Sequence, residues 1–107
     1  MRSTVEPASA VDDEIEALPV RLGARLIRLL ETVEEVGLEA LGRAHVKHLE
    51  GKLWELRVRA EGGIARGIYV TATVRRVIVL HVFAKKSRKT PQRALATARQ
   101  RMKEVTS

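Results

Sequence analysis

A cluster of four cations follows an apolar segment near the C-terminal end of the chain: Lys85, Lys86, Arg88 and Lys89. The preceding residues, 78–83, predict a buried strand. Thr90 and Pro91, directly after the cations, are typical of a helix N-cap and a first helical residue. A strand that delivers a cationic loop to a helix N-terminus can hold a polyanion, although the alternative is a solvated basic loop.

The charge of the chain is divided unevenly along its length. Residues 1–42 carry four basic and nine acidic residues, whereas residues 43–107 carry sixteen basic and four acidic residues, for a net charge of +7. A positive electrostatic field on one side of a small protein favours binding of a nucleic-acid phosphate backbone. A merely solvated basic surface is the alternative.

Three arginines fall inside predicted strands. Arg57 and Arg59 share the polar face of the segment 52–60, and Arg66 lies in the next strand between Ala65 and Gly67. An arginine among apolar strand residues needs a partner, because an isolated buried charge is costly. Arg66 therefore either forms a structural ion pair with Glu55 or faces an open concave surface, where its small neighbours leave room for a phosphate.

Thiolate chemistry, metal binding and histidine catalysis have less support in the sequence. The chain has no cysteine, which excludes disulfides and thiolate sites. His45 and His48 are three residues apart without a third ligand, so we predict no metal and no cofactor, and solvated or RNA-facing histidines. His81 lies inside a predicted strand and is either a half-buried core residue or a general acid or base.

The length of 107 residues predicts one domain, which we place at 12–107 behind a flexible arm at 1–11. Apolar residues from Ile15 to Val33 recur at helical spacing, with Asp12 and Asp13 as expected caps. Pro19 divides this stripe into a short helix and a longer one that ends at Gly37. No apolar run is long enough to span a membrane and no signal core is present, so we expect a cytoplasmic protein without membrane contact.

The pattern changes to period two after a basic connector at 43–51. Three strands follow, the first two joined by Glu61, Gly62 and Gly63, and the third apolar on both faces as in a central strand. A final helix has one apolar stripe and an outer basic side. The predicted order is two helices, three strands and one helix.

These segments resemble the RelE/ParE toxin superfamily, and in particular its phage-derived HigB-like branch. The resemblance covers residues 12–105 and is carried by EIEALP at 14–19, VKHLEGKLWELRVR at 46–59, GGIARGIYV at 62–70 and IVLHVFAKKSRKTPQRALATARQRM at 78–102. It implies a microbial-RNase-like α+β fold, with N-terminal helices on a three- to four-stranded antiparallel sheet and a C-terminal helix.

The resemblance also implies a function. Members of this superfamily are toxins of type II toxin–antitoxin pairs, and RelE-like members are metal-independent endoribonucleases that cut mRNA on the ribosome. The implied partners are the ribosome, mRNA and a HigA-like helix-turn-helix antitoxin. Operator DNA is expected to be bound only indirectly, through the antitoxin. A ParE-like inhibitor of DNA gyrase and a catalytically dead RNA- or DNA-binding member are the alternatives.

By position in the matched segments, the implied catalytic residues are Arg57, Arg66 and Lys86. Arg66 is assigned to the transition-state phosphate, and Lys86 is a better candidate for proton transfer than Arg57, because arginine hardly deprotonates. Further RNA-binding residues are expected at six positions: Lys52, Arg59, Lys85, Arg88, Lys89 and Arg93. The chain departs from the branch at Ser87 and Ala94, and it has no tyrosine or histidine after His81.

Overall fold

A five-stranded mixed sheet with helices on both faces forms the fold. The computed structural model describes residues 3–61, 63–73, 75–85 and 89–106. The elements in chain order are β1 (Thr4–Pro7), α1 (Val11–Glu16), α2 (Val20–Val36), a 3₁₀ turn (Leu38–Ala40), β2 (Val46–Glu50), β3 (Leu53–Ala60), β4 (Gly63–Thr71), β5 (Arg76–Lys85) and α3 (Gln92–Thr106). The predicted α+β class and the three predicted strands, β3 to β5, are confirmed.

The strand order is β1-β5-β4-β3-β2. Strands β2 to β5 pair antiparallel, whereas β1 pairs parallel with β5, with Val5 opposite Val77. The four antiparallel strands agree with the expected three to four, and the parallel strand β1 was not expected. The flexible arm expected at 1–11 contains β1, and the basic connector contains β2. Strands of four and five residues are too short to show a clear period, and β1 pairs with residues more than 70 positions away.

The helices α1 and α2 cover one face of the sheet. Leu22, Leu26 and Val33 of α2 are fully buried, as the helical stripe predicted. The predicted ends shift slightly: Ala10 caps α1 instead of Asp12 or Asp13, which lie in its first turn, and Pro19 is the N-cap of α2 instead of its first residue. Gly37 ends α2 with φ of 87°, as predicted.

The helix α3 covers part of the opposite face through Ala94, Leu95 and Ala98, which are buried. Its outer side is less free than the sequence predicted. Arg99 donates two hydrogen bonds of 2.7 Å to Glu50 at the end of β2, and these bonds hold the pKa of that carboxyl below its usual range. The helix is therefore attached to the sheet by ion pairs as well as by apolar contacts.

A second attachment closes the edge of β5. Pairing with β1 stops at Val79, and Glu14 of α1 then takes the place of the missing strand by accepting a 3.0 Å hydrogen bond from the Val82 amide. Arg101 of α3 donates to both Glu14 oxygens and, at 2.9 Å, to the Leu80 carbonyl. Two side chains thus satisfy backbone groups that an open strand edge would expose.

No helix among the described residues is long and apolar enough to cross a membrane.

The Glu14 attachment predicts a stability effect. Glu14→Ala leaves the half-buried Arg101 without its carboxylate and the Val82 amide without an acceptor, so we expect the free energy of unfolding in urea to fall by about 2–3 kcal/mol. Glu16→Ala, at an exposed position of the same helix, is the matched control and should leave the unfolding midpoint unchanged. Equal midpoints for the two variants would contradict this account of the β5 edge.

Candidate functional site

Two arginines face each other across neighbouring strands on the α3 side of the sheet. In the register of the sheet, Arg57 of β3 lies opposite Arg66 of β4, and Arg66 lies opposite Phe83 of β5. We call these three residues the arginine row. Paired strand residues point to the same face, so two guanidinium groups are brought together. Like charges directly opposite each other destabilise a sheet unless another group neutralises them.

Glu55 supplies the neutralising charge. Its side chain is fully buried one position along the same face of β3, and its Oε1 accepts a hydrogen bond from Nε of Arg57. Its Oε2 accepts a 2.8 Å hydrogen bond from the hydroxyl of Thr90, the residue just before α3. One carboxylate therefore joins the arginine row to the end of the cationic loop.

Arg66 is the most enclosed member of the row, with 0% of its surface exposed. Burial lowers the pKa of its guanidinium from the usual value, the charge of Glu55 opposes this, and the charges of Arg57 and Arg59 add to the lowering. Because arginine starts from a very high pKa, it remains a cation. The row thus contains a permanent positive charge beneath the protein surface.

This burial corrects the sequence-based interpretation of Arg66. An open concave surface around it was expected, and the ion pair with Glu55 was the alternative. The Glu55 carboxylate instead bonds to Arg57 and acts on Arg66 through its charge. The small neighbour Gly67 faces packed side chains on the other face of the sheet, because a Cβ there would lie in ordinary contact with Val79 at 3.7 Å and Val82 at 3.8 Å. Gly67 allows close packing on the helical side.

The assignment of a polar outer face to β3 was also wrong. The face with Leu53, Glu55 and Arg57 is largely covered, whereas Trp54 is 38% exposed on the other face. Period two separated the faces correctly. It did not reveal that α3 covers the charged one.

The other expected RNA-binding residues divide by position. Arg59 of β3 and Lys85 of β5 are paired with Ile64 of β4, which lies between them. These positions are two residues along each strand from the arginine row, toward the end of the sheet, and both cations are exposed. Lys89 and Arg93 are exposed at the start of α3. These four cations surround the arginine row at one end of the sheet.

Lys52 lies elsewhere. It occupies the turn between β2 and β3 at the opposite end of the sheet, beside a groove lined by Thr71, Arg76 and Met102. The structure therefore does not bring it together with the arginine row. Lys86 and Arg88 lie outside the described residues, so their predicted roles stay predictions.

Thr90 has a role that the sequence did not indicate. It was expected to cap the last helix, with Pro91 as the first helical residue. In the structure α3 begins at Gln92, the Pro91 carbonyl accepts the first helical hydrogen bonds, and the Thr90 hydroxyl is directed to Glu55. Only a contact between residues 35 positions apart could show this.

The histidines are engaged in structural contacts. Nδ1 of His45 is 3.0 Å from the Arg57 carbonyl, and Nε2 of His48 is 2.8 Å from the Gly51 carbonyl. His81 is half-buried, with Nδ1 2.9 Å from Glu14 and its ring stacked on Phe83 at 5.2 Å. The described residues contain no group of three or more side chains suited to hold a metal ion.

The arrangement suits charge stabilisation. A buried guanidinium cannot reorganise, and its field acts at the surface together with the exposed cations around it. A phosphate backbone laid across this end of the sheet would meet Arg57, Arg59 and Lys85. Phe83 is half-buried in the same row and offers an aromatic face near that path.

Comparison with known proteins assigns the chain to a family. Residues 13–103 match the family described as Phage derived protein Gp49-like (DUF891). The chain therefore belongs to the Gp49-like family. A comparison with the curated proteins finds no match.

Two solved structures share the fold. One is a doubly substituted form of the E. coli toxin RelE in the free state, with 18% identity, a TM-score of 0.68, and coverage of 95% of this chain and 99% of that one. The other is the toxin–antitoxin complex RelBE2 from Mycobacterium tuberculosis, with 17% identity, a TM-score of 0.58, and coverage of 79% and 100%. The predicted membership of a phage-derived family is confirmed, and the fold expected from the resemblance is that of the solved RelE structure.

The role of Glu55 can be tested by removing its charge. Glu55→Gln leaves the two opposed guanidiniums without a neutralising carboxylate, so we expect a loss of about 3 kcal/mol in the free energy of unfolding, measured by urea denaturation. Thr90→Val removes a single hydrogen bond and should cost about 1 kcal/mol. Glu61→Gln, on the exposed hairpin, is the charge-matched control and should have no measurable effect. A Glu55→Gln protein as stable as the control would show that the carboxylate does not hold the row.

Proposed function

We propose that this chain is the toxin of a type II toxin–antitoxin pair and that it cleaves mRNA on the ribosome. The observation that supports this most directly is the arginine row, a fixed positive charge surrounded by exposed cations on a RelE-like fold. Such a site favours a bound polyanion whose charge increases during reaction, as occurs at phosphorus in RNA cleavage.

The chemistry assigns a task to each cation. The 2′-hydroxyl gives its proton to a base and attacks the adjacent phosphorus, the pentacoordinate phosphate gains negative charge, and the bond to the 5′-oxygen breaks as that oxygen takes a proton from an acid. In the proposed mechanism Arg57, which is only half-buried, contacts the phosphate, and Arg66 stabilises the added charge from beneath the surface. Both remain protonated throughout, so neither transfers the proton. Lys86 is proposed for that transfer, as the resemblance to the family implies.

The geometry of the row suits catalysis without a metal ion. A metal would supply positive charge at the phosphate, and the two guanidiniums supply it here from side chains held by the sheet. Productive geometry then depends on how the substrate is presented, since proximity and alignment contribute much of the acceleration. Presentation of mRNA by the ribosome is the proposed source of that alignment.

The proposed partner is an antitoxin encoded with the toxin, of the HigA-like helix-turn-helix kind. The RelBE2 structure, which shares this fold, is described as a toxin–antitoxin complex. Binding of operator DNA would then occur through the antitoxin. A toxin that acts on ribosomes would work in the cytoplasm.

Substitutions in the arginine row test the function. On induced expression in bacteria, we expect the wild-type chain to cut translated mRNA, with the cuts mapped by primer extension. Arg57→Gln should reduce cleavage about 100-fold because it removes charge at the phosphate. Lys86→Ala should reduce cleavage by about the same factor because it removes the proton-transfer group.

Matched variants keep this test specific. Arg43→Gln and Lys103→Ala change exposed cations outside the row and should cleave as well as the wild type. Arg66→Ala should abolish cleavage, and its folding is checked by circular dichroism because the residue is buried. Intact mRNA together with broken or abnormally supercoiled DNA would replace the proposal with gyrase inhibition. No effect of the wild-type chain on RNA, DNA or growth would contradict both.

A further inference from the structure

A groove of about 770 Å³ lies on the helical side of the sheet, between α2 and the end of β3. Its floor is apolar, formed by Leu29, Leu41 and Val58, and its rim carries three arginines. The rim residues are Arg25, Arg28 and Arg59. We call this surface the arginine groove. Its floor lies on the opposite face of β3 from the arginine row, because Val58 points away from Arg57, and Arg59 borders both surfaces.

One wall of the groove is an open strand edge. The pairing of β2 with β3 begins at Val46 opposite Leu56, and beyond it the Arg57 amide donates a 2.9 Å hydrogen bond to the His45 carbonyl. Backbone groups two residues apart point the same way, so Arg59 presents its N–H and C=O toward the groove. Among the described residues neither group has a hydrogen-bond partner. An edge of this kind can pair with an added strand.

The rim is positive and is not neutralised from within the described part of the chain. Arg25, Arg28 and Arg59 are exposed, and none forms an ion pair with a described carboxylate. By contrast Arg21, one turn earlier on α2, pairs with Glu61 at 3.3 Å. The first half of α2 is thus basic, and Glu31, Glu34 and Glu35 are confined to its second half.

We propose that the arginine groove binds an extended acidic segment of a partner protein. The segment pairs its backbone with β3 at Arg59, sets carboxylates against Arg25 and Arg28, and rests alternate apolar side chains on the floor. Single-stranded RNA would match the positive rim. It would not match the free strand edge, which needs a peptide backbone, or the aliphatic floor, and the His45 ring in the wall is already engaged with the Arg57 carbonyl. The proposal does not depend on mRNA cleavage.

A synthetic peptide tests the groove on the full-length chain. The probe is a short fluorescein-labelled peptide in which glutamate and valine alternate, and binding is followed by fluorescence anisotropy. We expect the double variant R25E/R28E to bind it about ten-fold more weakly, because two attractions become repulsions. Replacing the glutamates of the peptide by glutamine should produce a similar loss with the wild-type chain.

A charge-matched control separates groove binding from general attraction to a basic protein. R21E/K103E lowers the net charge of +7 by the same amount, at exposed positions outside the groove. It should bind the peptide within about two-fold of the wild type. Equal weakening in the two double variants would overturn the proposal, since only net charge would then matter. Thermal unfolding checks that both variants fold.

The strand edge is tested at Arg59. Arg59→Ala removes the guanidinium and keeps the amide, whereas Arg59→Pro also removes the N–H at an edge position that tolerates proline. We expect Arg59→Pro to bind the peptide more weakly than Arg59→Ala, and amide exchange to slow at Arg59 in the wild-type complex. Equal affinities of the two variants, without such slowing, would overturn strand addition.

RNA is the competing occupant. A labelled single-stranded RNA oligonucleotide is titrated against the same variants. The proposal predicts that R25E/R28E and R21E/K103E lose RNA affinity equally, because the groove then contributes only its charge. Selective loss of RNA binding in R25E/R28E, with peptide binding unchanged, would assign the groove to RNA and overturn the proposal.

Discussion

The buried carboxylate of Glu55 is the interaction on which the site depends. It holds two guanidiniums that would otherwise repel each other across β3 and β4, and it receives the hydroxyl of Thr90 from the start of α3. Burial of a charge is costly unless it is paired and hydrogen-bonded, and here both conditions are met. Three elements thereby converge on one group, so the charge at the sheet surface and the packing of the last helix are coupled.

A similar solution recurs at the other end of α3. Glu14 and Arg101 together complete the edge of β5, and Arg99 joins Glu50 at the end of β2. These directional bonds fix the orientation of α3 on the sheet, since apolar contacts alone specify the orientation of a helix weakly. The same ion pairs remove cations from the outer surface of α3. Exposed cations remain around the arginine row and on the rim of the arginine groove.

The strand β3 divides the two surfaces. Its alternation sends Arg57 toward α3 and Val58 toward α2, and Arg59 stands at the open edge between them. A proposed RNA site and a proposed peptide groove can thus be occupied separately, although they share one strand. A partner bound in the groove would lie beside Arg59, and binding there could influence access to the sheet end without covering Arg66.

The sequence by itself determined the class of fold, the helical stripe of α2, the three long strands and the placement of Arg57 and Arg66 on neighbouring strands, because period and charge are local properties. It also indicated the family. Only the tertiary structure decided that Arg66 is buried, that Thr90 bonds to Glu55, and that residues 4–7 form a strand. The last two features depend on partners 35 and more than 70 positions away. Long-range pairing is set by which surfaces the whole chain buries together, and no local pattern encodes it.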